Sequence, residues 1–256
     1  MTMRLSTGLR NFLAKQGSFD DAMRNGIIEI YSGAQPASAD AAPGGTLLCT
    51  ISAGAGAVTS ETLATGTVTL SGSAGSVNTL TVNGVEVLGA AVPFDGTLAQ
   101  TALDVAAQIN RNKSAPDYTA SAAGAVVTIA ALPDSGAAPN TFVLAGGLTT
   151  LSAIYSALTG GVAPVNGLLF DSPAAGVLPK LAAQAWGGVN SATGTAGWFR
   201  EYGSVADSHA LDATGVMLRV DGAIATSGAE MNLNSTAFVT GATTTLASAT
   251  LTIPSQ

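Results

Sequence analysis

A chain of 256 residues is long enough for one large or two modest domains, and a hydrophobic share of 47% supplies real cores. Only 10% of residues are charged, against about 25% in an average soluble domain, and 5% are aromatic. Small side chains of this kind suit thin, tightly packed sheets and argue against a cofactor pocket with large walls. The net charge of −7 argues against nucleic acid as a partner of the whole chain.

Four of the nine basic residues, Arg4, Arg10, Lys15 and Arg24, fall within the first 24 positions. Residues 5–16 carry Leu5, Leu9, Phe12 and Leu13 on one stripe and predict an amphipathic helix that stops at Gly17. Ser18 with Asp21 predicts a capped second helical turn. Two readings are open for this start. It is a solvated helix face, or an arm whose Arg4, Arg10, Phe12, Lys15 and Arg24 dock on a partner.

The segment GIIEIYSG alternates, with Ile28 and Ile30 on one face and Glu29 and Tyr31 on the other, and predicts a strand. A turn-rich loop, GAQPASADAAPGG, leads to a second strand in TLLCTI. Cys49 within it is the only cysteine, which excludes an intrachain disulfide and reads as a small buried hydrophobe.

A linker-like stretch near residue 54 opens a different kind of sequence. Asn83-Gly84 in NTLTVNGVEVLG predicts a two-residue hairpin turn that sets Val82 against Val85 and Leu80 against Val87. Residues 97–112 are the clearest helix, with Leu98, Ala102, Val105, Ala106 and Ile109 on one stripe and a Thr97/Gln100 capping pair. A second hairpin follows around Ala123-Gly124. The order reads ββαββ, a small α+β module at residues 54–165. It would be inserted in a domain made from residues 1–53 and 166–256.

The last third reads as short strands with turns between them. GWFREY sets Trp198, Arg200 and Tyr202 on one face, opposite Phe199 and Glu201, while EMNLNSTAFV and TLASATLTI extend the ladder. The expected fold is therefore mainly β, a β-sandwich or jelly-roll-like domain split by the inserted module and preceded by short helices.

Little points to catalysis. His209 is the only histidine, and Asp207, Ser208 and His209 stand side by side, whereas a working triad converges from separate places. No nucleotide loop or metal-ligand spacing is present, so no cofactor and no catalytic residue is expected. Trp186, Trp198 and Tyr202 are either core anchors or contacts for a sugar or protein partner. The N-terminus lacks a continuous apolar core, and no apolar run approaches the length of a membrane helix. The expectation is a soluble chain made in a cytoplasm, with no membrane partner.

Several motifs resemble those of tailed-bacteriophage virion proteins. The opening residues 4–52 resemble a pattern of a short helix, a strand ending in IYSG, a QPASAD loop and a TLLCTI strand. Residues 167–200, with GVLPK followed by Trp186 and then ATGTA, look like the second half of the same group. The stretch at residues 73–129 is similar to a mobile module of phage tail and structural proteins. The resemblance implies a non-enzymatic structural protein of the virion, placed on the capsid, neck or tail and synthesised in a host bacterial cytoplasm. Its implied partners are other virion proteins and further copies of itself, with no nucleic acid. The alternative is a receptor-binding, fibre-type protein that contacts cell-surface carbohydrate through exposed Trp and Tyr.

Overall fold

The structure, a computed structural model, describes residues 3–252. It is mainly β, with 42% strand and 11% helix. The chain opens with β1 (Arg4–Leu5), α1 (Thr7–Lys15), α2 (Phe19–Met23), β2 (Ile27–Ser32) and β3 (Leu47–Ala53). There follow β4 (Thr65–Ser71), β5 (Ser76–Val82), β6 (Val85–Glu86), β7 (Val92–Pro93) and α3 (Leu98–Arg111). Next come β8 (Tyr118–Ala123), β9 (Val126–Ala131), β10 (Leu144–Thr149) and β11 (Ser152–Thr159). The remainder is β12 (Val177–Pro179), β13 (Trp186–Val189), β14 (Gly194–Tyr202) and β15 (Arg219–Ala225). Short strands close it: β16 (Met231–Asn232), β17 (Ala237–Phe238), β18 (Thr243–Leu246) and β19 (Thr250–Thr252).

The chain divides into two compact units, Met1–Glu61 with Pro164–Gln256, and Thr62–Ala163. In the first, a nine-stranded sheet runs β1-β15-β14-β2-β3-β13-β18, with β16 and β17 at its margins. Its apolar face carries Ile28, Ile30, Leu48, Ile51, Phe199 and Val220, and packs with Leu9 and Phe12 of α1 and Ala22 and Met23 of α2. The N-terminus therefore belongs to this core. Leu5, expected in the first helix, pairs as a strand residue with Val220. Ser6 instead caps α1, its hydroxyl accepting from Leu9 N. Ser18 and Asp21 form a reciprocal capping box on α2.

The opposite face is buried as well. Tyr31 and Trp198 are at most 5% exposed, and so is Glu29 beside them. Sequence alternation would leave one face to water, but the loops before β3 and after β14 cover it. Further departures lie near the end of the chain. EMNLNSTAFV breaks into β16 and β17 with Phe238 inward and Val239 exposed, and TLASATLTI breaks into β18 and β19. Ile253, expected in the last strand, lies outside the described residues.

The second unit holds two four-stranded sheets, β11-β4-β9-β8 and one of β10, β5, β6 and β7. It thus has more strands than the order ββαββ. Asn83 and Gly84 both take positive φ, +48° and +84°, as the two-residue hairpin turn demands, and Val82 pairs with Val85. The second turn centres on Gly124-Ala125, one residue later than expected, with Ala123 paired to Val126. In α3, Thr97 accepts from Gln100 N, and Ala102, Val105, Ala106 and Ile109 are buried. Thr101 joins that face because its hydroxyl donates to Thr97 O and accepts from Asp95 N.

Candidate functional site

The densest chemistry in the first unit lies on the covered face of its sheet. Register sets Arg200 on β14 between Asp221 on β15 and Glu29 on β2, with Trp198 against Tyr31 and Tyr202 against Arg219. Arg200 donates through Nε and Nη2 to the two Asp221 oxygens at 2.6 and 2.7 Å, and both residues are fully buried. Arg219 makes the same two-pronged contact with Asp207, at 2.7 Å for each bond. The planar guanidinium matches a carboxylate in this way, and a buried charge requires such a partner. Burial alone would depress the Arg200 guanidinium, but Asp221 holds it above its ordinary range.

The remaining donors reach the loops. Arg200 Nη1 donates to Ala41 O at 2.8 Å, Arg219 Nη1 to Asp40 O at 3.2 Å, and Arg219 Nη2 to Ala210 O at 2.9 Å. The Asp40 carboxylate in turn accepts from Thr7 N and Thr7 Oγ1 at 2.7 and 2.8 Å. Asp212 accepts from the backbone of Thr214, Gly215 and Met217, which fixes the turn leading into β15. The two arginines thus fasten both covering loops to the sheet. Trp198 stacks on Tyr31 with ring centroids 4.6 Å apart, and Arg200 lies 5.5 Å from the Trp198 centroid.

At the rim, His209 Nε2 stands 3.6 Å from Glu29 Oε2, and the His209 ring lies 5.1 Å from that of Tyr202. Tyr31 donates to Glu29, and burial followed by that carboxylate pushes the phenol above its ordinary range. A small depression of about 120 Å³ adjoins them, lined by Asn25, Ser60, Ser204 and His209 among others. Asp207, Ser208 and His209 form no relay. Asp207 is engaged by Arg219 and by His209 N, and Ser208 Oγ accepts from Ala210 N. Among the described residues, no group of three or more His, Cys, Asp or Glu could hold a metal ion. Cys49 is buried, and burial pushes its thiol up to about 11.

The residues singled out from sequence fall as follows. Arg4 pairs across β1 with Asp221 and donates to Pro36 O, and Arg24 forms an ion pair with Asp20. Phe12, a docking candidate, is 3% exposed and belongs to the core. Lys15 is half-buried in the last turn of α1. Arg10 is exposed, with Nη2 donating to Thr7 Oγ1 at 2.9 Å. The structure does not gather these five into an outward arm, because their helices are packed elements of the sheet domain.

Trp186, Trp198 and Tyr202 are each at most 2% exposed, so they are core anchors and not surface contacts for a glycan. Trp186 Nε1 donates to Gln184 Oε1 at 2.8 Å and packs edge-on against Phe170, with Lys180 Nζ 5.8 Å from its ring. Sequence reasoning missed Arg219 and Asp221, and it weighed Asp207 only beside His209 and not as the partner of Arg219. The signal was available in RVDGAI, where an aspartate inside a strand requires a buried partner.

No family model, curated protein or solved structure matches this chain. Among the described residues, no helix is long and apolar enough to cross a membrane.

Proposed function

We propose that this chain is a non-enzymatic structural component of a tailed-phage virion, assembled with other virion proteins on the capsid, neck or tail. In this reading a β-sandwich-like domain is interrupted by an inserted α+β module. What supports it is the convergence of the segments that resemble virion proteins. IYSG ends β2, TLLCTI forms β3, and GTAGWFR lies in β14, three strands consecutive in one sheet though 170 residues apart in sequence at their extremes. The QPASAD motif supplies Asp40, whose backbone oxygen Arg219 holds, and the next residue, Ala41, supplies the oxygen that Arg200 holds. Resembling residues therefore build one joint, the lock of the covering loops, instead of being scattered over the surface. The GVLPK…W segment makes a second local joint through Lys180, Gln184 and Trp186.

The test is the composition of particles. Mass spectrometry of purified virions from the genome encoding this chain is expected to find it in a fixed ratio to the major capsid protein; its absence would overturn the proposal. Removing residues 1–26 would be a poor test, because Leu9, Phe12, Ala22 and Met23 are core residues. Arg10→Glu is the sharper probe of a docking role, since it alters an exposed charge and leaves the core intact.

A further inference from the structure

The sheet β11-β4-β9-β8 has two edges, and they are finished differently. On β8, the Asn110 side chain of α3 closes the backbone of Ala120, donating to Ala120 O at 2.7 Å and accepting from Ala120 N at 2.9 Å. An amide side chain in that position occupies the groups a further strand would use. Among the described residues, β11 pairs only with β4. At its far end Leu158 exchanges backbone hydrogen bonds with Thr141 and Phe142, which leaves residues 152–156 as the open stretch.

Within residues 152–156 no charge, proline or bulge blunts the edge, the register shift of β11 falling beyond them, between Ser156 and Thr159. SAIYSALT contains no charge, proline or glycine, and its register with β4 is regular from Ser152 to Ser156. At its centre stands Ile154, at 75% the most exposed large hydrophobic side chain among the described residues. β10, the neutral edge of the other sheet, has its register shift in mid-strand at Gly147/Leu148, whereas that of β11 lies past the open stretch.

The direction of the free groups follows from the neighbouring ladder. Leu70 N donates to Ala125 O, so the backbone of Leu70 faces β9. In an antiparallel pair its opposite residue, Ala153, must then direct N–H and C=O away from β4, and Tyr155 two residues on does the same.

The geometry points to a second copy of this chain as the occupant, paired antiparallel through β11 about a two-fold axis at Ile154. Ala153 of one copy then lies opposite Tyr155 of the other, and the two equivalent pairs exchange four backbone hydrogen bonds. Ser152 meets Ser156, and Ile154 meets Ile154 in a close, non-hydrogen-bonded pair. The row Ile154, Thr69, Val126 on the outer face continues across the axis, and the two sheets become one of eight strands. The strand itself carries no charge that would repel its own copy. Each chain carries a net −7, and this edge brings two copies together with no like charges opposed. The inference goes beyond the virion reading and stands without it, since it concerns the free protein.

Sedimentation velocity of the full chain across roughly 1 μM to 1 mM tests it. The wild type is expected to shift from monomer to dimer, and Ile154→Lys to raise the dissociation constant at least about tenfold with an unchanged circular dichroism spectrum. Ile154→Cys is expected to form a disulfide-linked dimer on mild oxidation, whereas Val143→Cys, a 60% exposed site off this strand, is not. A wild type that stays monomeric throughout the range would overturn the proposal. So would a dimer indifferent to Ile154→Lys, or an Ile154→Cys chain that forms no more linked dimer on oxidation than Val143→Cys does.

Discussion

Asp221 is the residue on which the covered face of the sheet depends. It is fully buried, and it is the charge that makes a buried Arg200 tolerable. Asp221→Ala leaves that guanidinium without its partner and is expected to cost about 3–5 kcal/mol in urea denaturation at pH 7. A loss below about 1 kcal/mol would mean that Ala41 O and water suffice to hold Arg200. Glu201 is the counterpart on the apolar face, opposite Ile28 and Val220. Burial pushes its carboxyl up from 4.5 to about 8. Between those values the folded protein keeps a proton that the unfolded chain has lost. This group therefore lowers stability as pH rises through that window, by up to about 1.4 kcal/mol per pH unit, and the loss levels off above pH 8. Glu201→Gln should flatten the slope of stability against pH between 5 and 8; identical slopes for variant and wild type would refute the assignment.

At the scale of elements, the joint between β14 and β2 rests on a close approach. Their register shifts between Ala196 and Trp198, and a Cβ added at Gly197 would come within 2.0 Å of Gly33 O. Gly197→Ala is accordingly expected to cost roughly 1–3 kcal/mol, read as a lowered denaturation midpoint with little change in slope. Elements whose cause is local were legible in the sequence. The Asn83-Gly84 hairpin, the stripe of α3 and the Ser18/Asp21 cap each need only a few neighbouring residues. Elements decided by distant partners were not. Leu5 reads as helical until β15 captures it, and Trp198 and Tyr202 read equally as core or as contact residues until the fold buries them. RVDGAI signals that Asp221 needs a buried partner, but which partner stays hidden for the same reason, because Arg200 meets it only after β14 and β15 have paired.

At the scale of the whole molecule, each unit has its own core. Residues 62–163 bury Val68, Leu80, Val105, Ile109, Val127 and Ile129 together, and their strands carry one charge, Glu86. Expressed alone, this segment is expected to fold and to unfold in a single cooperative transition, with dispersed amide NMR signals; a collapsed spectrum would show that the rest of the chain is needed. The virion reading gives the two units different tasks, assembly for the first and an added module for the second. A cryo-EM map of intact particles tests it most directly. The expected result is the nine-stranded sheet of residues 1–61 and 164–256 at symmetry-related positions on the capsid, neck or tail, against another virion protein. A well-resolved particle with every surface density assigned to other chains would contradict it.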